Sequence, residues 1–162
     1  MSTYDVILHP TDFSEESYRA FQLACSLARD QFAALVIVHV LPAECGSGGG
    51  VGEDAGLEDS EVVRNCREHF GRMKAMVGDI PISFRIVCGY PVGSILNVAH
   101  DEHADLIVVA SHQHPQFYLQ LHGSVAEGLL RQTHCPVMIL RQPSHQTPMG
   151  ARSALMRQPS DC

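Results

Sequence analysis

The sequence lacks the long apolar runs and the cysteine spacings that define several protein classes. Among its 162 residues, no apolar run reaches the roughly 18 residues that a membrane span needs, so we predict no membrane association. The N-terminal residues include an acid and no basic cluster, so no signal peptide is expected. No two of the six cysteines have C-x-x-C spacing, which argues against a zinc knuckle or a redox motif. We therefore predict reduced thiols in a cytoplasmic protein.

Positive charge is also scarce. The chain has 11 Lys and Arg residues against 18 Asp and Glu residues, which gives a formal net charge of −7. This balance argues against a nucleic-acid partner or an anionic membrane surface. Hydrophobic residues make up 45% of the chain and charged residues 18%, which is ordinary for a globular protein. A chain of this length suits one domain with a sizeable core.

Catalytic signatures are missing as well. The sequence contains no G-x-S-x-G elbow, no H-E-x-x-H pair and no G-x-x-x-x-G-K-[ST] phosphate loop, and each of these carries a specific chemistry. The glycines between Gly46 and Gly52 do not follow the G-x-G-x-x-G pattern of a dinucleotide site. We therefore predict that the protein is not an enzyme.

What the chain does contain is a regular alternation of short apolar runs and amphipathic segments. The runs predict strands at Tyr4–Leu8, Ala34–Val40, Ile82–Cys88, Leu106–Ala110 and Val137–Leu140, with the third at an edge of the sheet. The amphipathic segments predict helices from the N-cap Ser14 to Gln31 and over Glu58–Met76, Ser94–His103 and Ser124–Gln132. The second helix should bury Val62, Cys66, Phe70 and Met73. His9 and Pro10 are expected to break the first strand.

This alternation predicts an α/β fold with a parallel sheet covered by helices on both faces. One domain should span residues 1–141, with a flexible glycine-rich loop at 43–57 and a disordered tail at 142–162. Ligands of such sheets sit beyond the carboxyl ends of the strands, where the winding direction reverses. The loops Pro10–Ser14 and Ser111–Gly123 are expected to meet in that crevice.

Several short motifs, taken in order, resemble the universal stress protein family (UspA-like) across about residues 3–141. They are the strand entering Pro10-Thr11-Asp12-Phe13-Ser14, then His39-Val40, Gly89-Tyr90-Pro91, Asp105–Val109 and Gly123–Glu127 leading to Cys135-Pro136-Val137. The resemblance implies a fold of the adenine nucleotide alpha hydrolase-like, Rossmann-like type, with five parallel strands in the order 3-2-1-4-5. It also implies a homodimer.

One subgroup of this family binds ATP through a motif that reads G-x-x-G, nine residues, then G-S or G-T. Here the four positions are Ala110, Gln113, Gly123 and Ser124, so the glycine motif is degenerate. Bare backbone is what lets such a loop approach phosphate oxygens. Gln113 adds a long side chain there, and the nearby Pro115 removes an N–H donor. The resemblance completes the candidate nucleotide site with Pro10, Asp12, Val40 and Val125.

Each candidate residue also has a simpler interpretation. Ser124 and Glu127 form a capping box that needs no ligand. Asp12 suits the bracing of a turn, and Val40 suits the core. The side chains of His112, His114, His122 and His9 suggest a metal site or a histidine-lined anion site, but a solvated polar loop is favoured over both. Whether the 43–57 loop is a lid stays open.

These observations together predict a cytoplasmic stress-response protein that acts as a homodimer and does not bind ATP tightly. The fifth strand, with Val137, Met138, Ile139 and Leu140, is an apolar edge that a second copy would cover. A further protein partner is expected but not identified by the sequence, and no cofactor is required. The alternative is a nucleotide sensor that keeps ATP or AMP, with magnesium, despite the altered loop. A flavoprotein or another enzyme of this fold is the third and weaker hypothesis.

Overall fold

A computed structural model describes residues 4–43, 60–111 and 125–141. In these ranges strands and helices alternate along the chain. The strands are β1 (Val6–Pro10), β2 (Ala34–Leu41), β3 (Ile82–Cys88), β4 (Leu106–Ser111) and β5 (Val137–Arg141). The helices are α1 (Glu15–Gln31), α2 (Glu61–Val77), α3 (Pro91–Asp101) and α4 (Val125–Gln132). None of these four helices is both long enough and apolar enough to cross a lipid bilayer.

The five strands form one parallel sheet in the order β3-β2-β1-β4-β5. This confirms the predicted α/β fold and the predicted edge position of β3. Leu8, in the central strand, pairs with Val36 on one side and Ile107 on the other. From β1 the chain winds outward to β3 and then returns to add β4 on the other side of β1. The winding therefore reverses between β1 and β4, where ligands of such sheets are bound.

Both faces of the sheet are covered because successive strand residues point to opposite sides. Ile7 belongs to the core on the α1 and α2 face, with Phe21 and Phe70. Leu8 belongs to the core on the other face, with Ile95 of α3 and Leu129 of α4. Strands buried on both faces need nearly continuous apolar sequence, which is why the apolar runs predicted them correctly.

Helix caps explain where two of the helices begin. The Ser14 hydroxyl accepts a hydrogen bond from the Ser17 backbone N–H at 3.1 Å, so α1 begins at Glu15 as predicted. The second helix begins later than predicted, at Glu61 rather than Glu58. Ser60 has extended backbone dihedrals, and its hydroxyl accepts from the Val63 N–H at 3.2 Å. Ser60 is thus the N-cap, and helical geometry starts only after it.

Four further boundaries or positions differ from prediction. The first strand is not broken at His9, because His9 and Pro10 keep pairing with Ile37 and Val38 of β2. The third helix begins at Pro91 rather than Ser94, since proline is well suited to the first helical position, where its missing N–H is not needed. It ends at Asp101 rather than His103. On α2 the buried residue is Val63, at 4% exposure, while Val62 is exposed.

Some predicted features fall outside the described residues. They are positions 44–57 of the glycine-rich loop, the tail at 142–162, and His112, His114 and His122. The proposals that the loop is flexible or a lid, that the tail is disordered, and that the histidines form a solvated loop stay predictions. So does the single-domain boundary at 141, although the sheet joins strands from Val6 to Arg141.

Candidate functional site

A cleft of about 170 Å³ opens at the carboxyl ends of β1, β2 and β4. It lies where the winding of the sheet reverses, as expected for a ligand site of this fold. Its walls are mostly apolar and include a few polar side chains, which is the usual composition of a small-molecule site. The lining residues are Pro10, Thr11, Asp12, Ser17, Val38, His39, Val40, Pro91, Ile95, Val109, Ala110 and Val125.

Five of the eight predicted site residues line this cleft. Pro10 and Asp12 come from the end of β1, Val40 from β2, Ala110 from β4, and Val125 from the first turn of α4. Gln113, Gly123 and Ser124 lie outside the described residues. The degenerate glycine motif and the capping box that starts at Ser124 therefore stay predictions, as does the assignment of all eight residues to a nucleotide.

Ala110, at the first position of the glycine motif, lies within a strand. It pairs with Leu140 of β5 and is 7% exposed. Its side chain packs in the core on the α1 and α2 face and also reaches the cleft. Val40 has the same double role, since it packs against the opposite core and lines the cleft. For Val40, the core interpretation and the pocket-wall interpretation are therefore compatible.

Asp12 braces the turn that leads from β1 into α1. Its Oδ1 accepts hydrogen bonds from the Ser14 backbone N–H at 3.0 Å and from the Ser14 hydroxyl at 2.6 Å. Phe13, between them, has a φ of 63°, in the left-handed region that non-glycine residues rarely occupy. A braced turn of this kind orients the Asp12 carboxylate at the cleft. Asp12 therefore both braces the turn and lines the cleft.

His9 is fully buried beside Ser17, which lines the cleft, and sequence reasoning did not place it there. Its Nδ1 lies 2.8 Å from the Val108 carbonyl oxygen, which can only accept, so Nδ1 carries the hydrogen. Burial lowers the pKa of His9 to about 4. The ring is therefore neutral at physiological pH. Among the described residues, no group of three or more His, Cys, Asp or Glu side chains forms a metal-binding cluster.

Thr11 and Ser17 add two hydroxyl groups to the floor of the cleft, and sequence reasoning missed both. Thr11 is 7% exposed and Ser17 is 2% exposed. The Ser17 hydroxyl donates to Thr11 Oγ1 at 2.9 Å and lies 3.5 Å from Nε2 of His9. A signal was present, because Ser17 precedes Ala20, Phe21 and Ala24 at helical spacing on the buried face of α1. A polar residue on that face indicates a hydrogen-bonded position.

The cleft wall at His39 is backed by other aromatic rings. His39 lines the cleft, and its Nδ1 lies 2.7 Å from the Thr11 carbonyl oxygen. The ring of Phe13 lies 4.5 Å from that of His39 and stacks on His69 of α2, also at 4.5 Å. These contacts tie the loop after β1 to β2 and α2. The wall is thereby held in one arrangement before any ligand arrives.

The described cysteines do not add chemistry to the cleft. Cys25, Cys66, Cys88 and Cys135 are thiols, and none of the four lines the cleft. Burial raises the pKa of Cys25 to about 11 and also raises that of Cys66. A thiol with a raised pKa is a poor nucleophile because little thiolate forms. The side chains that line the cleft supply apolar walls, one carboxylate, two hydroxyl groups and the imidazole of His39.

The sequence is similar to a known protein family and to a relative within it. Residues 3–141 match the model of the family described as the universal stress protein family. Universal stress protein MJ0531 of Methanocaldococcus jannaschii is 29% identical over 154 residues, which cover 88% of this chain and 85% of that protein.

Solved structures show the same fold. The structure of protein MJ0577, also from Methanocaldococcus jannaschii, superposes with a TM-score of 0.69 at 26% sequence identity. The match covers 86% of this chain and 97% of that one. A universal stress protein in complex with cAMP is 26% identical with a TM-score of 0.64, covering 85% of this chain and 97% of that one.

Proposed function

The chain belongs to the universal stress protein family, and from that premise we propose that it is a non-enzymatic, cytoplasmic stress-response protein. It works as a homodimer and binds an adenine nucleotide by its base, without tight binding of ATP. The observation that carries the nucleotide proposal is the gathering of Pro10, Asp12, Val40, Ala110 and Val125 around one cleft. These are residues to which the family resemblance assigns nucleotide contacts. The solved relative in complex with cAMP supports an adenine ligand.

The size of the cleft supports recognition of the base rather than of the whole nucleotide. Pockets that enclose drug-sized ligands span about 300–1,000 Å³, whereas this cleft has about 170 Å³. That space suits one heterocyclic ring system between the apolar walls. The phosphates would then depend on the segment that carries the degenerate glycine motif. Because Gln113 and Pro115 weaken that motif, additional phosphates should add little affinity.

We expect AMP to bind wild-type protein, and ATP with magnesium to bind no more tightly than AMP. Asp12→Asn should lower the affinity for AMP by about tenfold, since it removes the charge that strengthens a hydrogen bond from the base. The amide oxygen still accepts from Ser14, so the turn should persist and the melting temperature should change little. Calorimetric titration and thermal denaturation measure the two effects.

Asp101→Asn is the matched control, because Asp101 is an exposed acid at the end of α3, away from the cleft. It should bind AMP as the wild type does. Low-micromolar binding of ATP with magnesium would overturn the proposal of weak ATP binding and favour the nucleotide-sensor alternative. Failure of both AMP and ATP to bind would overturn the nucleotide proposal itself.

The homodimer is proposed from the edge strand β5. Within the described residues β5 pairs only with β4, and its sequence from Val137 to Leu140 is entirely apolar. Its residues are only partly buried, and Met138 is 37% exposed. An apolar strand edge of this kind favours association with another strand. Pairing with the same strand of a second copy would give a closed two-fold dimer.

We expect light scattering at micromolar concentration to give the mass of a dimer for the wild type and of a monomer for Met138→Lys. A lysine at this position would place a charge in the proposed contact, where it loses hydration. Met76→Lys is the matched control, because Met76 is a still more exposed methionine, at 51%, and lies on α2. It should stay a dimer. A monomeric wild type, or a dimeric Met138→Lys variant, would contradict the proposed contact.

A further inference from the structure

The hydroxyl pair of Thr11 and Ser17 is the polar part of the cleft floor, and the base-binding proposal leaves it without a role. Both residues line the cleft although their side chains are almost fully buried. The neighbouring walls are apolar, with Val38 on β2 and Val109 on β4. In such surroundings an unmatched polar group is costly, so a hydroxyl facing the ligand affects which ligand binds.

The hydrogen bonds of Thr11 determine what its hydroxyl offers. A hydroxyl has one hydrogen to donate and two lone pairs that accept. Thr11 Oγ1 accepts from the Phe13 backbone N–H at 3.1 Å and from the Ser17 hydroxyl at 2.9 Å. Both lone pairs are therefore occupied. The remaining capacity of this oxygen is to donate its own hydrogen, and Thr11 is one of the residues that line the cleft.

Ser17 could instead donate to His9, and the distances decide between the two acceptors. Thr11 Oγ1 lies 2.9 Å from the Ser17 oxygen, whereas Nε2 of His9 lies 3.5 Å away. Hydrogen bonds weaken with distance, and 3.5 Å is at the limit for an O–H donor. The imidazole of His9 is held in place by its Nδ1–H, which donates to the Val108 carbonyl oxygen at 2.8 Å. The Ser17 hydrogen therefore points mainly to Thr11, with Nε2 of His9 as a second and weaker acceptor of the same hydrogen.

We propose that Thr11 is a specificity-determining residue, whose hydroxyl donates to an acceptor on the bound heterocycle. The cleft would then select ring systems with an unprotonated ring nitrogen facing its floor. Ser17 is the positioning residue, because its donated hydrogen bond fills the second lone pair of Thr11. This inference rests on the proposed binding of an adenine nucleotide, and it names Thr11 Oγ1 as the atom that recognises the base.

The test compares AMP with its deaza analogues, each of which has one ring nitrogen replaced by C–H. The wild type should bind one of these analogues about tenfold more weakly than AMP, as expected for one lost hydrogen bond in an apolar site. Thr11→Val, which is nearly isosteric, should bind AMP and that analogue equally. Thr11→Ser restores a hydroxyl and should restore the difference. Ligand-observed NMR titration measures all of these affinities.

Ser17→Ala should reduce the ratio between AMP and the analogue, a readout that a general loss of stability would not change. Thr133→Val is the control, because the Thr133 hydroxyl accepts from Cys135 N–H in the turn before β5, away from the cleft. It should keep the wild-type ratio.

If AMP binds but Thr11→Val keeps that ratio, or Thr11→Ser loses it, this inference is overturned and the proposed function stands. An unchanged ratio in Ser17→Ala overturns the role of Ser17. If the wild type does not bind AMP, both proposals fail.

Discussion

Acidification from pH 6.5 to about pH 4 is expected to cost the folded protein about 3 kcal/mol through His9 alone. The pKa of this buried imidazole is lowered from 6.5 to about 4, and each pH unit of such a difference corresponds to about 1.36 kcal/mol. The main cause is burial, which removes water from the charged form. The hydrogen bond to Val108 offsets only part of that effect.

The direction follows from which state binds the proton. Between pH 6.5 and pH 4 the unfolded chain protonates this histidine, whereas the folded protein keeps it neutral. Acid therefore favours the unfolded state. The contribution is fully present above pH 6.5, is lost as the pH falls toward 4, and stops changing below that value. Urea denaturation at about pH 7 and about pH 4.5 gives the two free energies of unfolding to compare.

His9→Gln is the variant for this measurement. Its amide can still donate to the Val108 carbonyl, but it has no proton to gain in this pH range. The variant should lose less stability on acidification than the wild type by about 2–3 kcal/mol. His100→Gln is the control, because it removes an imidazole whose side chain is 83% exposed. This variant should lose as much stability on acidification as the wild type does. Equal losses in wild type and His9→Gln would show that His9 is not the group responsible.

Leu129→Ala is expected to destabilise the protein by about 3 kcal/mol, within the range of about 2–5 kcal/mol for buried leucines. Leu129 is fully buried and packs in the core on the α3 and α4 face with Leu8 and Ile107. Removing its side chain leaves a cavity and loses the transfer free energy of the removed carbons. Because α4 has only eight residues and few other anchors, its docking depends strongly on this contact.

Leu130→Ala is the matched control, since the next residue on the same helix is 53% exposed. It should change the free energy of unfolding by no more than about 0.5 kcal/mol. Both variants are best measured in the Met138→Lys background, so that the proposed dimer contact does not contribute. Urea denaturation separates the two positions, and similar costs for Leu129 and Leu130 would contradict the orientation of α4.

The elements of the fold were largely predictable because local rules govern them. Ser14 is a strong N-cap, and α1 begins directly after it. The apolar runs predicted all five strands; β1, β2 and β4 are buried on both faces, as parallel strands inside a sheet are, whereas the edge strands β3 and β5 are only partly buried. The strand order was a different matter, since it came from the family resemblance and not from the runs themselves. The predicted helix starts were wrong for α2, whose N-cap is Ser60, and for α3, whose first residue is Pro91.

The candidate site was predictable only in part. The family resemblance named Asp12 and Val40, and the cleft brings them together. It assigned no ligand contact to Thr11, Ser17 or His9, because their positions depend on how β1 packs against α1 and β4. The sequence predicted a break of the first strand at His9 and Pro10. The ring of His9 is instead buried against Val108, 99 residues away. No local pattern contains that contact.

The sequence by itself determined the alternation of elements, the start of α1 and the apolar character of the β5 edge. These properties depend on neighbouring residues and on hydrophobic spacing, which can be read along the chain. Only the tertiary structure decided that His9 is neutral and buried, and that Thr11 has a hydrogen left to donate into the cleft. The partner of His9 is 99 residues away, and Ser17 reaches Thr11 across the turn between β1 and α1, so these contacts exist only once β1, α1 and β4 have packed together.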